Sequence, residues 1–564
     1  MQLFQRFRHK KILFLVAIIF VASFGPALPV KAFSQGDSLY FNVDPNYDST
    51  ARTQVQATLV KTTASLYFYV ETAWWAAQTS SQQNQILNSL DALSNEFDSN
   101  IYPTLTSAYG SEFRPGIDND TRITILFETI NSGLGGYFRS DDEYSKLQIP
   151  DSNEREMLYM PIDQITSPQL KVFLGHEFVH LIVFNQKDRL QGVQEEVWLS
   201  EARSDYASTL LGYDDIYEGS NLQRRVNDFL GNPNDSLPEW LGTKYDYATE
   251  DLFTHYLVDH YGIGILGDSL KSKLVGIPSI NEALLKHGYK EDFSQIFTDW
   301  TIALSINDCS QNPNYCYINK NLTALKINPT LIFLPLTGNS SLSMNNVTKN
   351  WAGNWEKIVG GNGDLTLQFS SFSGLNFQVP YIVYDKNNNY TVKFLLLDNQ
   401  SKGSVTIKDF GTKYNALVVI PLLQTKMTGF NGAELSYPYT FTISVTQPTS
   451  QADAALLQKL QDQLNALKNQ NATAPSCTQL QHNLYFGVSY QSDVRCLQQF
   501  LKLQGPDIYP SGLVTGNFGL LTKAAVLRFQ NKYKAEVLAP LGLSQGTGFV
   551  GALTRLKINQ LLQK

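Results

Sequence analysis

His176-Glu177-Phe178-Val179-His180 sets a glutamate between two histidines four positions apart, and Glu201 and Asp205 follow on a later segment. On a helix, residues i and i+4 share a face, so His176 and His180 can offer two imidazole nitrogens to one ion. A carboxylate from a second helix, Glu201, brings the protein ligands to three and leaves a tetrahedral place for water. That is the ligand set of a hydrolytic zinc site holding one ion. Glu177 cannot easily ligate the metal that its flanking histidines hold. It is placed instead to take a proton from water and deliver it to a leaving amine. Glu201 and Asp205 are also i and i+4. Asp205 can therefore accept a hydrogen bond from the non-ligating nitrogen of one histidine and fix its tautomer.

The surroundings strengthen this reading. Leu174, Phe178, Val179 and Leu181 make the first segment a largely buried helix, and Val197-Trp198-Leu199 precede Glu201. Burying two histidines and a glutamate in such a helix is costly unless something binds them.

The elements that must position these groups follow from local signals. Ser167-Pro168 reads as a helix start, with the serine as cap and the proline in the first turn of a helix running through His180 to about Asn185. Glu195–Leu211 is expected as a second helix and Tyr247–Tyr261 as a third, ending at Gly262. Upstream, Gln82–Phe97 is amphipathic, while Ile123, Ile125 and Phe127 alternate as in a strand. Leu158-Tyr159-Met160 is a second strand candidate. Gly133-Leu134-Gly135-Gly136-Tyr137-Phe138 fits either a flexible turn or an exposed strand edge on which a peptide could pair. Asp118-Asn119-Asp120 and Asp141-Asp142-Glu143 are weak Ca2+ candidates. They lack a full loop signature and read better as solvated turns.

The paired histidines with Glu201-x-x-x-Asp205 resemble the gluzincin metallopeptidases, the thermolysin-like group. The run Trp198-Leu199-Ser200-Glu201-Ala202 is most similar to the hyicolysin family of secreted bacterial peptidases, with weaker similarity over about residues 85 to 305. Ser200 and Ala202 depart from that pattern, standing where Asn and Gly are usual. The resemblance implies an α+β thermolysin-like fold, zinc on His176, His180 and Glu201, and Glu177 as catalytic base. It also implies a tyrosine or histidine from a later helix as oxyanion stabiliser. Tyr247, at the start of the third helix, is the first candidate, with Tyr245 and His255 open.

The rest of the chain reads as further domains, since 564 residues exceed what one core normally holds. Met1–Ala32 has a basic start, an apolar run Ile12–Phe24 and the small-residue site Val30-Lys31-Ala32, the pattern of a secretory signal; an uncleaved membrane anchor is the alternative. Beyond it stand 39 basic against 51 acidic residues, with no basic stripe that would suit nucleic acid. The metallopeptidase domain is expected over 33–308. Residues 319–447 are poorer in charge and carry period-two strands, such as Leu365/Leu367/Phe369 and Tyr439/Phe441/Ile443/Val445, as an all-β sandwich would. Residues 448–476 read as a linker with a short leucine-spaced helix. Cys309/Cys316 and Cys477/Cys496 form two close pairs suited to disulfides in an exported protein.

Residues 477–564 contain a repeat. Gly516-Asn517-Phe518-Gly519-Leu520-Leu521-Thr522 is echoed by Gly548-Phe549-Val550-Gly551-Ala552-Leu553-Thr554, each threonine being expected to cap the next helix. With Val494–Leu501 and Ala525-Val526-x-x-Phe529-Gln530, the pattern resembles the three-helix peptidoglycan-binding domain of bacterial cell-wall enzymes, and implies attachment to cell-wall glycopeptide. The combined expectation is a secreted, wall-associated zinc endopeptidase acting on protein or peptide substrates. A wall-bound surface protein with an inactive peptidase domain and a hydrolase of peptidoglycan stem peptides are the alternatives.

Overall fold

Strand-forming runs at the start of the chain, rich in aromatic and β-branched residues, assemble a six-stranded mixed sheet. Its strands are β1 Ser38–Asn42, β2 Gln54–Thr62, β3 Leu66–Glu71, β4 Ile123–Glu128, β5 Tyr137–Phe138 and β6 Met157–Pro161, in spatial order β1-β2-β3-β4-β6-β5. The computed structural model describes residues 33–447, 477–488 and 490–563. The expected signal segment and the expected linker helix both lie outside them. Strands β3, β4 and β6 run parallel, and every residue of β4 and β6 is buried, as a strand covered on both faces requires. Strand β5 pairs antiparallel with β6 and leaves its other side as the free edge.

Helices cover the sheet. α1 is Thr72–Ala76 and α2 is Ser80–Glu96, entered through a capping box of Thr79 and Gln82; α3 is Tyr102–Tyr109. The histidine-bearing helix α4 spans Leu170–Val183 and packs under β5 and β6. It begins two residues later than Ser167-Pro168 suggested. Ser167 is not its cap: the Ser167 hydroxyl accepts from the Gln169 amide within a turn, and the helix has no side-chain cap. Beyond Val183 the helical path continues as a wider turn through Arg189.

Next come α5 Val197–Leu210, α6 Asn221–Gly231 and α7 Lys244–Tyr261. Thr243 and Asp246 form a capping box that starts α7 three residues before the expected Tyr247, so Tyr247 sits within the first turn. The helix stops at Gly262, whose φ of +83° favours glycine. Three further helices, α8 Gly264–Leu270, α9 Gly276–Lys286 and α10 Phe293–Ile306, finish the helical layer.

Residues 330–446 are all strand and turn. Gly363–Ser371 lies between Lys402–Phe410 and Tyr437–Thr446, with Leu365, Leu367 and Phe369 opposite Val445, Ile443 and Phe441 in one buried face. The Asp385 side chain closes the Asn387-Asn388-Asn389 turn by accepting from the amides of Asn387 and Asn389. This β region shares a core with the helices. Trp351 packs edge-on against Phe293 and Phe297, and the Trp355 indole donates to the carbonyl of Thr301 at 2.9 Å. Contacts group the described residues up to Gln447 as one unit and those from Cys477 as another. Cys309–Cys316 and Cys477–Cys496 are disulfides, one in each unit.

Among the described residues of the second unit the helices are Gln491–Leu503, Leu520–Lys532 and Ala552–Leu562, with two short helical turns, Lys534–Val537 and Ala539–Leu541. The repeat has a physical basis that spacing alone did not reveal. The Gln498 amide oxygen accepts from the amides of Thr515 and Gly516, and its nitrogen donates to the Asn517 carbonyl and the Thr522 hydroxyl. Gln530 repeats this with Thr547, Gly548, Phe549 and Thr554. Thr522 and Thr554 thus lie inside the first turns of their helices, receiving a glutamine amide, and Gly519 and Gly551 occupy the cap positions expected for them. Gln498→Met keeps the volume but strips the Thr515 amide and the buried Gly516 amide of their acceptor. The expected loss is about 2–3 kcal/mol in the stability of the second unit. Hydrogen exchange of the amides across 491–562 reads it, and unchanged exchange would contradict the role given to Gln498.

Candidate metal centre

α4 and α5 lie side by side, and their facing sides carry the polar groups. His176 and His180 come from successive turns of α4, and their Nε2 atoms are 3.2 Å apart. Glu201 Oε2, from α5, is 3.2 Å from His176 Nε2 and 3.5 Å from His180 Nε2. These residues are the only group of three metal-ligating side chains that converge on one point among the described residues.

The outer nitrogens are held from α5. His176 Nδ1 is 3.1 Å from Asp205 Oδ1, and His180 Nδ1 is 3.0 Å from the Ser200 hydroxyl. Ser204, one turn further on, has its hydroxyl 3.4 Å from the same nitrogen. The sequence marked Ser200 only as a departure beside Glu201, and its contact across to His180 needs the packing of two helices to be seen. Asp205 is itself paired with the buried Arg225 of α6 at 2.6 Å.

α5 is fixed by buried charges. Arg203 donates to Glu195, to the Leu199 carbonyl and to Ser269, and Lys187 donates to the carbonyls of Ser269, Ser272 and Leu274. Glu196, at the start of α5, accepts from the Trp198 indole and from the Gly429 amide of the β region. Displacement of Glu201 would therefore disturb a network with few alternatives.

With each Nδ1–H turned to Asp205 or Ser200, both Nε2 atoms present lone pairs. They then face each other and a carboxylate oxygen. Glu201 Oε2 is buried and makes no hydrogen bond of good geometry, although both nitrogens are near. Three lone-pair atoms at this separation repel unless a cation, proton or metal, lies among them. This donor set fits zinc: two imidazoles, one carboxylate and supporting hydrogen bonds behind the imidazoles. Among the protein groups alone a proton fills the role. Burial works against a charge on His176, but Asp205 and Glu201 outweigh it and push its pKa up to about 10. Burial likewise opposes charge on Glu201, but the two histidines hold it well below the usual carboxylate range.

Glu177 is buried, and burial raises its pKa against the pull of His176 and His180. Its side chain lies against the edge of the sheet: a Cβ added to Gly136 would sit 2.9 Å from Glu177 Cγ and 3.1 Å from Oε1. Only glycine lets the backbone pass here. Tyr247 is half-buried under the Arg225 guanidinium, 4.6 Å from the ring centre. Burial and then the charges of Glu201 and Asp205 raise its phenol pKa. Tyr245 lies beneath Lys244, at the helix start. His255 is 1% exposed, packed between Tyr206 and Thr209, and burial lowers its pKa to about 3. It offers no edge to a substrate.

Sequence reasoning missed Tyr47. It is partly exposed, its ring stacks on Tyr137 at 4.7 Å, and after burial and Asp44 its pKa is raised by Glu177 and Glu201. No motif marks a lone tyrosine so far upstream of the histidines. The acidic turns are engaged by protein groups: Asp120 by Arg122 and Tyr67, Asp142 by Tyr159, Arg139 and the Asn153 amide. Glu143 is buried beside Glu156, which with burial drives its pKa up.

Residues 490–537 match the family described as "Putative peptidoglycan binding domain". The chain thus carries a peptidoglycan-binding domain in its second unit, which associates it with the cell wall. No curated protein matches the chain. Among solved structures, the Yersinia pseudotuberculosis-derived mitogen is 10% identical over 20% of this chain and 92% of its own, with a TM-score of 0.15. PliG, a periplasmic inhibitor of g-type lysozyme from Aeromonas hydrophila, is 9% identical over 21% and 100%, with a TM-score of 0.14. The pre-peptidase C-terminal domain of a Bacillus anthracis collagenase is 7% identical over 21% and 96%, also at 0.14. Likenesses this small carry no weight for the first unit. No helix among the described residues is long and apolar enough to cross a membrane.

Zinc held by these three groups would compete with a proton on His176, whose pKa Asp205 and Glu201 push up. Calorimetric titration in two buffers of different ionisation enthalpy should show about one proton released per zinc, with affinity falling as pH falls. Binding without proton release would contradict this electrostatic picture.

Proposed function

We propose that the chain is a zinc-dependent endopeptidase of the gluzincin kind, exported and held at the cell wall by its peptidoglycan-binding domain. The observation that carries the reading is the convergence of His176 Nε2, His180 Nε2 and Glu201 Oε2, with Asp205 and Ser200 behind the imidazoles. Held by those three groups, zinc would supply Lewis acidity, polarising a water and the scissile carbonyl.

The chain's own groups do the rest. Glu177, with a pKa raised by burial, takes the water's proton and passes it to the amine that leaves. A substrate backbone pairs along the free edge of β5, and the close approach of Gly136 to Glu177 brings the scissile bond to the base. Tyr247 and Tyr47 keep their phenol protons, because burial and the neighbouring carboxylates disfavour phenolate. Each is a donor for the oxyanion of the tetrahedral intermediate. Tyr247 is the first choice, set on α7 by the capping box and backed by Arg225.

The peptidoglycan-binding domain favours a second reading, in which the substrate is a stem peptide of the wall itself. Casein and purified sacculi as parallel zymogram substrates, with and without chelator, separate the two. The endopeptidase reading predicts chelator-sensitive clearing of casein, whereas clearing of sacculi alone would favour the stem peptide. No clearing of either would make the first unit a non-catalytic wall protein. Glu177→Gln should retain zinc and lose activity by about 10²–10⁴-fold; full turnover in that variant would overturn the assignment of the base.

A further inference from the structure

The second unit is charged differently from the whole chain. Residues 477–564 hold nine lysines and arginines against three acidic residues, in a chain of formal net charge −7. Its surface also carries aromatic rings that its core does not take up.

Leu484 and Val550 pair as an antiparallel bridge, with the amide of each donating to the carbonyl of the other at 3.2 and 2.8 Å. Both side chains are fully buried in the core. Because side chains alternate along extended backbone, the next pair, Tyr485 and Phe549, must lie opposite each other on the outer face. They are 50% and 42% exposed, with ring centres 6.1 Å apart and planes inclined by 29°. The Phe549 ring lies over Gly551, where a Cβ would come within 2.9 Å of it.

The turn does not require an aromatic there. In the first copy of the repeat, which the same glutamine network builds, the position of Phe549 is held by Asn517. Cations flank the ledge. The Lys523 side chain runs along Gly548, next to Phe549, and Arg555 bonds the side chain of Asn483, next to Leu484. Tyr485 and Phe549 stand on either side of the matched residues 490–537.

We infer that Tyr485 and Phe549 form a binding ledge for the glycan strand of peptidoglycan, flanked by Lys523 and Arg555 for stem-peptide carboxylates. This rests on peptidoglycan being the ligand of the second unit. The apolar C–H face of a pyranose ring meets the electron-rich face of an aromatic ring, and two neighbouring rings offer a platform to a strand rather than to one sugar. The excess of basic charge complements the carboxylates of the stem peptides.

Co-sedimentation of the full chain with purified sacculi tests this, using wild type, Tyr485→Ala/Phe549→Ala and Lys523→Gln. A second arm uses soluble glycan strands freed of stem peptides by an amidase, with binding read by calorimetric titration. The double aromatic variant should bind both ligands at least tenfold more weakly, at low and high salt alike. Lys523→Gln should weaken binding to sacculi at low salt and leave binding to bare glycan unchanged. Tyr485→Trp should retain binding, and an unchanged melting profile of the double variant shows that the fold is kept. If the double variant sediments like wild type, the ledge is refuted while peptidoglycan binding stands. If wild type itself stays in solution, peptidoglycan binding falls, and the ledge with it.

Discussion

Repulsion among three lone-pair atoms is the constraint on which the first unit depends. His176 Nε2, His180 Nε2 and Glu201 Oε2 are held within 3.5 Å of one another, in a place mostly closed to water. The arrangement is tolerable only with a cation among them. Much of the surrounding structure prevents the three from moving apart. α4 is packed under the sheet through Leu174, Phe178 and Leu181, and α5 is tied down by Arg203 and Glu195. The β region reaches back to the start of α5 through Gly429 and Glu196, so it is part of the scaffold of the site.

Orientation of the imidazoles is the second requirement, and it is met asymmetrically. Asp205, paired with Arg225, holds His176, while a neutral hydroxyl, Ser200, holds His180. A carboxylate behind one imidazole makes that nitrogen the better donor and, among the protein groups alone, the better proton acceptor. The same carboxylate that suits His176 for metal also makes it compete for a proton.

Parts of this were legible in the sequence because they depend on local periodicity. The i, i+4 spacings in α4 and α5, the glycine end of α7, and the alternation of Leu365, Leu367 and Phe369 all concern neighbours along the chain. Contacts between elements were not legible. Ser200 on His180, Tyr47 near Glu177, and Gln498 reaching over to Thr515 each join residues that only the fold brings together. Helix starts were misjudged where a cap was decided by geometry. Ser167 closes a turn, Thr243 with Asp246 starts α7 early, and Thr522 and Thr554 receive a glutamine amide. The peptidoglycan-binding pattern was readable because its glycines and threonines recur in two copies. The glutamine network is the physical cause of that recurrence.

X-ray absorption at the zinc edge of the metal-loaded protein addresses the metal centre most directly. The account predicts a shell of light ligands at about 2.0–2.2 Å, with the outer scattering of two imidazoles and no sulfur. A shell without imidazole scattering, or a protein that takes up no zinc, would contradict it.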